Sequence, residues 1–597
     1  MTPDRAHLWD YITDRTSRNA IGRREYGAGG GDCAPYLNEA RKEGASGVTL
    51  PTGWIPVRSS VTLENFELAG EHGNAGALYP YATKGAVIEV RDTAVKPFLL
   101  GENWGLERLG FYYPLQMPKA GAPDVYEPLL QPIASDTNVS GGHMDRCAVI
   151  NAYALAKLGG NATYEKSGQN AFTNSRICAL KDYFTLNHMP DWLNLAGSQF
   201  GWDLFGDPMM GYAGAPFDAG WRDWVTANSV AFRIKGDGSH SVDGPVISPA
   251  VFYGLKQIFL VEAGAKLTNL TALGVMADAC QQLIRCEPGG AVVATTITLG
   301  GGCYQHRKAY ESAACEPFVD IDNPSDCTGL VIKGHVQELK GSGVRIRGAN
   351  VKSYDIQLSS DAIARTTTPG TYYAADVDCP NARLETLNIT AGADAPVDGG
   401  VTRHGVIVRS GVMSDVTVQL NGFQNPVEIA ATAGQHTVRA TTSNTGGAKS
   451  LIVADPSKVT WSGKMDKPPQ SYGSASLGAT ISSITSDNAV TVVSLALEAG
   501  EWEISGVVQF QGVSSTYMGY GICSLSSSAG AFSSQIDRQH LEIFSTTGWL
   551  GVYPVRVDRA RFALASAATI YVVAQAGFSG GALNIVGGKI TATRVQA

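Results

Sequence analysis

Three acidic residues end three successive β-rich segments of the sequence in the same way. Glu262 closes IFLVE, Glu287 closes LIRCE and Asp322 closes FVDID. If these segments are neighbouring strands stacked about 4.8 Å apart, Glu262 and Glu287 lie roughly 5 Å apart at the backbone, and Glu262 and Asp322 roughly 10 Å. Carboxyl pairs about 5 to 5.5 Å apart suit retaining hydrolysis of a glycosidic bond, and pairs about 6.5 to 9.5 Å apart suit inverting hydrolysis. We predict these acids as catalytic candidates; the alternative is that they are solvated turn residues.

A tryptophan-rich insertion from Asp182 to Trp224 supplies a second candidate constellation. Indole rings stack on the apolar C–H faces of sugars, and carboxylates and guanidinium groups bind sugar hydroxyls. The insertion therefore suits a saccharide groove, with a small loop core that caps the fold as the alternative. We predict five substrate-binding residues and two further catalytic acids in it: Trp192, Trp202, Trp221, Trp224 and Arg222 for binding, and Asp218 and Asp223 for catalysis.

Two polar loops keep a β-elimination mechanism open. A lyase needs a Lys, His or Tyr base and an Arg or a metal that neutralises a uronate carboxylate. The candidates lie in CYQHRKAYE and GDGSHSVDG, namely Tyr304, His306, Arg307 and Lys308, and Asp237, His240 and Asp243. Each group is also an ordinary polar loop, and neither has the spacing of a calcium loop. The net charge of −8 argues against an acidic polyuronate substrate, which a basic groove would attract better.

The composition limits the classes of partner. Only 17% of the 597 residues are charged, against about 25% in an ordinary domain. No Lys/Arg cluster provides the counterion release on which nucleic-acid and anionic-membrane binding depend, so we predict neither partner. The ten cysteines lack the spacing of a zinc site, and we expect buried reduced thiols, no metal and no cofactor. The N-terminus lacks the apolar stretch of a secretory signal.

A degenerate repeat between about residues 230 and 455 predicts the architecture. Most repeats hold one β segment, a turn, a second β segment such as Leu330 to Val336, and a loop. This order is typical of a coil of a parallel β-helix, whereas the strands of a sandwich would turn back every 8 to 12 residues or so. The first segments of the successive repeats begin near Phe232, Ile258, Leu283, Phe318, Val344, Ala375, Val406 and Val427.

The two ends of the sequence differ from the repeat. Residues 1–23 have the pattern of one amphipathic helix, whose apolar positions are Leu8, Trp9, Ile12 and Ile21. Near the other end, TVVSLALEAGEWEISGVVQF alternates apolar and polar residues across a turn at Gly500. This alternation predicts a hairpin in an antiparallel, jelly-roll-like domain.

Several stretches of the sequence resemble a known family. The run YGAGGGDC, followed by APYLNEA and GVTLPTG, is similar to the start of the pectate-lyase-like right-handed β-helix of bacteriophage tailspike depolymerases. LEAGEWEISG and GGALNIVGGKITATRV resemble the C-terminal jelly-roll domains of phage fibre proteins. The resemblance implies a homotrimeric tailspike of the virion tail that binds, and often cleaves, a capsular polysaccharide, exopolysaccharide or O-antigen outside the host cell.

Together these observations predict an all-β chain with four parts. We expect a helical attachment peptide at 1–23 that contacts a phage tail or adaptor protein, and a right-handed parallel β-helix at 24–463 that binds and cleaves the polysaccharide. A linker at 464–470 precedes a jelly-roll-like trimerisation or carbohydrate-binding domain at 471–597. The expected activity is endo-glycosidic hydrolysis of a bacterial surface polysaccharide, with a lyase and a non-catalytic receptor-binding spike as alternatives.

Overall fold

The computed structural model describes most of the chain, and the statements below refer to that part. The described residues are 5–23, 31–71, 85–116, 119, 121–159, 168–189, 192–201, 222–236, 240–306, 313–392, 401–411, 413–421, 425–430, 435–443, 452–453, 459–461, 473–513, 516–532, 538–542 and 552–595. The chain divides into two compact units, Met1–Lys464 and Met465–Ala597. The roles assigned to the four parts of the sequence stay predictions.

The described part of the first unit holds four short helices and many short strands. The helices are α1 Leu8–Tyr11, α2 Arg15–Arg23, α3 Ala34–Lys42 and α4 Arg222–Asn228. The strands before α4 are β1 Ala6–His7, β2 Gly47–Leu50, β3 Gly53–Val57, β4 Val61–Leu63, β5 Glu67–Gly70, β6 Ala86–Val90, β7 Phe98–Leu100, β8 Gly105–Glu107, β9 Leu109–Tyr112, β10 Leu130–Pro132, β11 His143–Asp145, β12 Ala148–Leu158, β13 Asn170–Thr173, β14 Arg176–Asn187, β15 Leu193–Ala196 and β16 Ser198–Gly201.

The remaining strands of the first unit follow α4 and cover the predicted repeat. They are β17 Val230–Lys235, β18 Val242–Asp243, β19 Val246–Ile247, β20 Ala250–Tyr253, β21 Gln257–Val261, β22 Lys266–Thr268, β23 Thr271–Asp278, β24 Gln282–Cys286, β25 Ala291–Val293, β26 Thr296–Leu299, β27 Val319–Asp322, β28 Asp326–Thr328, β29 Leu330–Glu338, β30 Val344–Arg347, β31 Ser353–Ala362, β32 Gly370–Asp378, β33 Leu384–Gly392, β34 Val401–Ser410, β35 Met413–Asn421, β36 Asn425–Ile429, β37 Gln435–Ser443, β38 Ile452–Val453 and β39 Val459–Trp461.

The predicted repeat is a stack of coils in register. Each strand pairs in parallel with the strand at the same place in the coil before it and in the coil after it. The predicted first segments therefore fall on consecutive strands, and one column of the core runs through Phe232, Phe259, Ile284, Val319, Val344, Ala375, Val406 and Val427. The first unit is a right-handed parallel β-helix, as the sequence predicts.

Some coils of the solenoid contain a short strand beyond the predicted two. Strands β18, β22, β25 and β28 form a separate four-stranded sheet between the two longer strands of a coil. Each has only two or three residues, which is too short to give a readable period in the sequence.

The N-terminal segment is not the single helix that the sequence predicts. It forms β1, α1 and α2, because the Asp14 carboxylate accepts a hydrogen bond from Ser17 N (2.6 Å) and starts a new helix at that point. Leu8, Ile12 and Ile21 are nevertheless buried. Strand β1 pairs with β2, and α1 packs on α3, so this segment is part of the first unit.

The second unit is an antiparallel two-sheet domain. Its strands are β40 Gly473–Ser476, β41 Ile481–Ile484, β42 Val490–Leu497, β43 Gly500–Val513, β44 Tyr517–Ser526, β45 Arg538–Glu542, β46 Val552–Leu564, β47 Ala568–Ser579 and β48 Ala582–Val595. One sheet holds β40, β41, β43, β46 and β48, and the other holds β42, β44, β45 and β47. Side chains such as Trp502 and Phe510 from the first sheet, and Leu525 and Val572 from the second, form the buried core.

The predicted hairpin at Gly500 is wrong, although both of its strands exist. Strand β42 pairs with β47, whereas β43 pairs with β46 and β48, so the chain crosses between the sheets at Gly500. Gly500 has a φ of 143°, a conformation that glycine adopts at low cost. The Trp502 indole N–H donates to the Glu498 carbonyl (3.0 Å) and closes this corner.

The ten cysteines are free and buried, as predicted. Burial raises the pKa of Cys33 and of Cys147 to about 12, which keeps both thiols protonated. Within the described part of the chain, no helix is long and apolar enough to cross a membrane, and no group of three acidic, His or Cys side chains is arranged to hold a metal ion.

Stacked phenylalanines at the centre of the solenoid should carry much of its stability. Phe232 is buried between Phe184 and Phe259, at ring-centroid distances of 5.2 and 5.1 Å and interplanar angles of 7° and 15°. Phe232→Ala should lower the free energy of unfolding by about 3–5 kcal/mol. Thermal and guanidinium chloride unfolding of the two proteins would measure this. Leu273→Ala, at a side chain that is 44% exposed on β23, should cost less than about 0.5 kcal/mol; equal losses in both variants would disprove the stacking argument.

Candidate functional site

The three predicted acids lie on consecutive strands. Val261 is opposite Cys286, and Cys286 is opposite Ile321, so Glu262, Glu287 and Asp322 follow at equivalent positions. Adjacent members are separated by one strand spacing, about 4.8 Å at the backbone. We call Glu262, Glu287 and Asp322 the acid column. The structure thus brings these three residues together, and their catalytic roles stay a prediction.

Each member of the acid column has a different surrounding. Glu262 Oε1 accepts a hydrogen bond from Arg233 Nη1 at 2.7 Å, and Asp182 holds the same guanidinium. Burial alone would lower the pKa of Arg233, but Asp182 and Glu262 together raise it, so the arginine keeps its charge. Glu287 Oε2 accepts only from Ala263 N (3.4 Å) among the described residues.

A ladder of alternating charges runs beside the acid column, two residues earlier on the same strands. The fully buried Asp320 carboxylate accepts from Arg345 Nε and Nη2 (both 2.7 Å) and pairs with Arg285 (3.1 Å). One strand beyond Arg345, Asp376 pairs with Arg347 (2.6 Å) and Arg409 (2.7 Å). We call these residues the arginine–aspartate ladder. Each of its buried carboxylates is neutralised by two arginines.

The acid column departs from this alternation of charge. Lys235 precedes Glu262 in the column, and Arg347 is opposite Asp322 at its other end. Between these two cations three carboxylates follow one another without a basic residue in the same column. Two like charges about 4.8 Å apart repel by about 1 kcal/mol even in water. The acid column thus contains a repulsion between like charges that is absent from the arginine–aspartate ladder beside it.

Helix α4, at the end of the aromatic insertion, is not next to the acid column, whereas Asp182 at the start of the insertion pairs with Arg233 beside Glu262. Trp202, Trp221 and Asp218 lie outside the described residues. Arg222, Asp223 and Trp224 belong to α4, which precedes β17, whereas Glu262 follows the last residue of the neighbouring strand β21. Five residue steps of β17 span about 16 Å, so α4 and the acid column are at opposite ends of these strands. The Trp224 ring is partly buried, with its centroid 6.4 Å from that of Tyr153.

Trp192 is the most exposed of the predicted aromatic residues that the structure describes. Its side chain is 65% exposed, directly before β15. The indole lies close to Gly244, where an added Cβ atom would be 3.3 Å from Trp192 Cδ1. Beside it, Asp243 Oδ1 accepts hydrogen bonds from Thr268 Oγ1 and Asn269 Nδ2, both at 2.7 Å. An exposed indole beside fixed polar groups is a surface on which a sugar ring can stack.

The lyase candidates are divided between several positions. Arg307, Lys308 and Asp237 lie outside the described residues. His240 packs edge-to-face on His188, with ring centroids 4.5 Å apart. Tyr304 and His306 follow β26, with ring centroids 6.4 Å apart. Arg307 is the one arginine of this set, so the lyase alternative stays open.

A second column of strand ends contains Tyr304, which the sequence predicts as a candidate base, and two residues that were not predicted, Tyr253 and Asp278. Tyr253 ends β20, and Asp278 lies opposite it at the end of β23. Tyr304 N donates to Ala277 O (2.9 Å), which puts Tyr304 on the next strand beside Asp278. Aligning the second β segments of the repeats, in the same way as the first segments, would have found this column.

The arginine–aspartate ladder makes a testable contribution to stability. Asp320→Asn leaves Arg285 and Arg345 without a countercharge and should cost about 3–5 kcal/mol. Asp322→Asn, two residues later and partly exposed, should change the unfolding free energy by less than about 0.5 kcal/mol. Thermal unfolding of both variants distinguishes the two positions, and a similar shift in both would show that the ladder is not stabilising.

Comparison with known proteins finds similar structures but no similar sequences. No protein-family model matches the chain, and no curated protein does. The tailspike protein of E. coli bacteriophage HK620 in complex with a pentasaccharide is similar over 99% of this chain and 94% of that chain, at 12% identity and a TM-score of 0.35. The catalytic domain of a GH87 α-1,3-glucanase in complex with tetrasaccharides is similar over 74% of this chain and 68% of that chain, at 12% identity and a TM-score of 0.30.

Proposed function

We propose that this chain is a bacteriophage tailspike that binds a bacterial surface polysaccharide and depolymerises it by endo-glycosidic hydrolysis. The observation that carries the proposal is the run of three carboxylates in the acid column, on a surface where the adjacent column alternates in sign. Arg233 compensates Glu262, whereas Glu287 has no ion pair with a described residue and stands between two like charges, which adds no stability. Hydrolysis of a glycosidic bond requires such a group of neighbouring carboxyls.

The proposed chemistry divides two roles between neighbouring acids. One carboxylic acid protonates the leaving oxygen, and the other acts as the nucleophile or as the base that activates water. Glu262, which Arg233 holds by an ion pair, suits the carboxylate role. Glu287, on the adjacent strand and without an ion pair in the described part, suits the role of proton donor. Carboxyls on adjacent strands, such as Glu262 and Glu287, suit the shorter carboxyl separation of retaining hydrolysis. Glu262 and Asp322, two strands apart, suit the longer separation of inverting hydrolysis.

The proposed binding surface uses the exposed aromatic side chains. Trp192 offers the more accessible ring of the two predicted tryptophans that the structure describes. Trp202, Trp221, Trp224 and Arg222 remain proposed substrate-binding residues, and Asp218 and Asp223 remain alternative acids. The target is a capsule, an exopolysaccharide or an O-antigen outside the host cell, and the N-terminal segment attaches the spike to the phage tail or an adaptor protein.

The alternatives are distinguished by the products of digestion. Hydrolysis releases reducing ends, β-elimination adds the ultraviolet absorbance of an unsaturated uronate, and a non-catalytic spike produces neither. Halo formation on lawns of encapsulated strains would first identify a responsive polysaccharide. Reducing ends without new absorbance support the proposal, and either other result refutes hydrolysis.

Substitution of the acid column should separate binding from turnover. Glu262→Gln and Glu287→Gln should each lower the rate of reducing-end release by about 10² to 10⁴, because an essential acid or base is lost, while polysaccharide retention persists. Trp192→Ala should mainly raise KM. Glu71→Gln, at an exposed residue far along the chain from the column, is the control and should keep wild-type turnover. Wild-type rates in both column variants would exclude this pair and favour Asp218 and Asp223.

The proposed spike should be a homotrimer. A chain of 62.9 kDa would then give about three times this mass by light scattering of the folded protein. The mass should not change with dilution across the concentration range in which the protein is active. A monomeric mass for a folded and active preparation would contradict the trimer.

A further inference from the structure

The strand ends at Tyr253, Asp278 and Tyr304 form a cluster that is distinct from the acid column. We call these three residues the tyrosine–aspartate edge. Asp278 ends the last strand of its coil, whereas Glu262 follows the first strand of the same coil, and β22 and β23 lie between them along the chain. Tyr253 is opposite Asp278 on one neighbouring strand, and Tyr304 is beside it on the other. All three side chains are partly exposed.

Asp278 is unusual among the described carboxylates. Its side chain forms no hydrogen bond or ion pair with any described residue, and burial raises its pKa above the ordinary value. Partial burial disfavours the charged carboxylate, and no countercharge lies beside it among the described residues. The carboxyl oxygens therefore have no protein partner in the described part of the chain and can form a hydrogen bond with a ligand hydroxyl.

Among the described residues, no group packed around Asp278 supplies a countercharge to this carboxyl. The titratable side chains on the adjoining elements are Tyr253 on β20, Cys280 in the following turn, and Cys303 and Tyr304 after β26. The two thiols are buried, and burial raises the pKa of both, so they supply no charge at neutral pH.

Charged side chains occur one strand beyond Tyr304. Glu338 is opposite Tyr304 and pairs with Lys340 and Arg365. Lys340 is almost fully buried, and its ion pair with Glu338 compensates its charge. These residues therefore provide a polar rim rather than a countercharge for Asp278.

We infer that the tyrosine–aspartate edge is a second saccharide-binding site, at which the Asp278 carboxyl forms a hydrogen bond with a sugar hydroxyl and the rings of Tyr253 and Tyr304 contact the apolar face of the sugar. Aromatic faces beside one fixed polar group are the usual composition of such a site. The inference rests on the proposed function, since the ligand is part of the same polysaccharide. The site would hold the polymer at a second point, which increases retention without a second catalytic centre.

The test measures retention of the Glu287→Gln protein, so that the ligand is not consumed. The probe is an array of immobilised bacterial capsular polysaccharides and O-antigens, read between mildly acidic and alkaline pH. Asp278→Ala should lower the affinity about fivefold, the usual loss for one hydrogen bond to a neutral group. The affinity of the parent protein should change with pH where Asp278 titrates, since the carboxyl and the carboxylate bind a hydroxyl differently. Asp278→Asn, which does not titrate, should make this affinity nearly constant.

The controls distinguish this site from a structural or catalytic role. Asp361→Ala, at an exposed aspartate of the same sheet, should leave retention unchanged. Equal retention by Asp278→Ala and the parent overturns the inference alone. Loss of turnover in Asp278→Asn made in the wild-type background, with retention intact, would show a proton donor for catalysis and also overturns it. If the parent binds no polysaccharide on the array, the proposed function fails together with the inference.

Discussion

Backbone pairing between successive coils is the constraint on which the first unit depends. Each strand satisfies its amide and carbonyl groups through the coil before it and the coil after it, so a shift of one residue would turn every side chain of that strand to the other face. The pairing holds one register from Phe232 to Val427. Equivalent residues of the repeat are therefore stacked at a fixed spacing. This stacking is favourable for the apolar side chains inside the solenoid, and it is unfavourable outside wherever the stacked side chains carry like charges.

The columns of stacked residues differ in which side chains they place next to one another. Inside, the same register stacks Phe184, Phe232 and Phe259 face to face. Outside, the arginine–aspartate ladder alternates its charges, so that stacking becomes attractive. The acid column and Asp278 depart from this rule, one by repeating a charge and the other by leaving a carboxyl without a partner. Departures from an otherwise consistent pattern are where function is expected.

Much of the stacking of the strands could be predicted from the sequence, because the spacing of the β segments shows the repeat. That spacing by itself places Glu262, Glu287 and Asp322 on consecutive strands. Features that depend on tertiary closure could not be predicted in the same way. The break of the N-terminal helix depends on the Asp14 cap, and the crossing at Gly500 depends on which sheets the flanking strands join. The position of α4 relative to the acid column depends on the coil geometry, which a distance along the chain does not describe.

Burial was the property least accessible from the sequence. Asp278 and Asp322 both stand at strand ends in the repeat and are both partly exposed, and nothing in their local sequences shows that burial raises the pKa of Asp278. Asp320 is fully buried and paired with two arginines that are 35 residues before it and 25 residues after it. Such environments are set by neighbouring coils, so the spacing of a repeat predicts which residues meet but not how much water remains between them.

The proposal that the polysaccharide is hydrolysed at the acid column is tested most directly by a diffraction structure. The crystal would contain the Glu287→Gln protein with an oligosaccharide cut from the responsive polysaccharide. We expect a sugar chain across the acid column, with one glycosidic oxygen within hydrogen-bonding distance of residue 287 and the ring carbon of that bond facing Glu262 or Asp322. A sugar chain bound elsewhere, with the acid column open to solvent and uncontacted, would contradict the proposal.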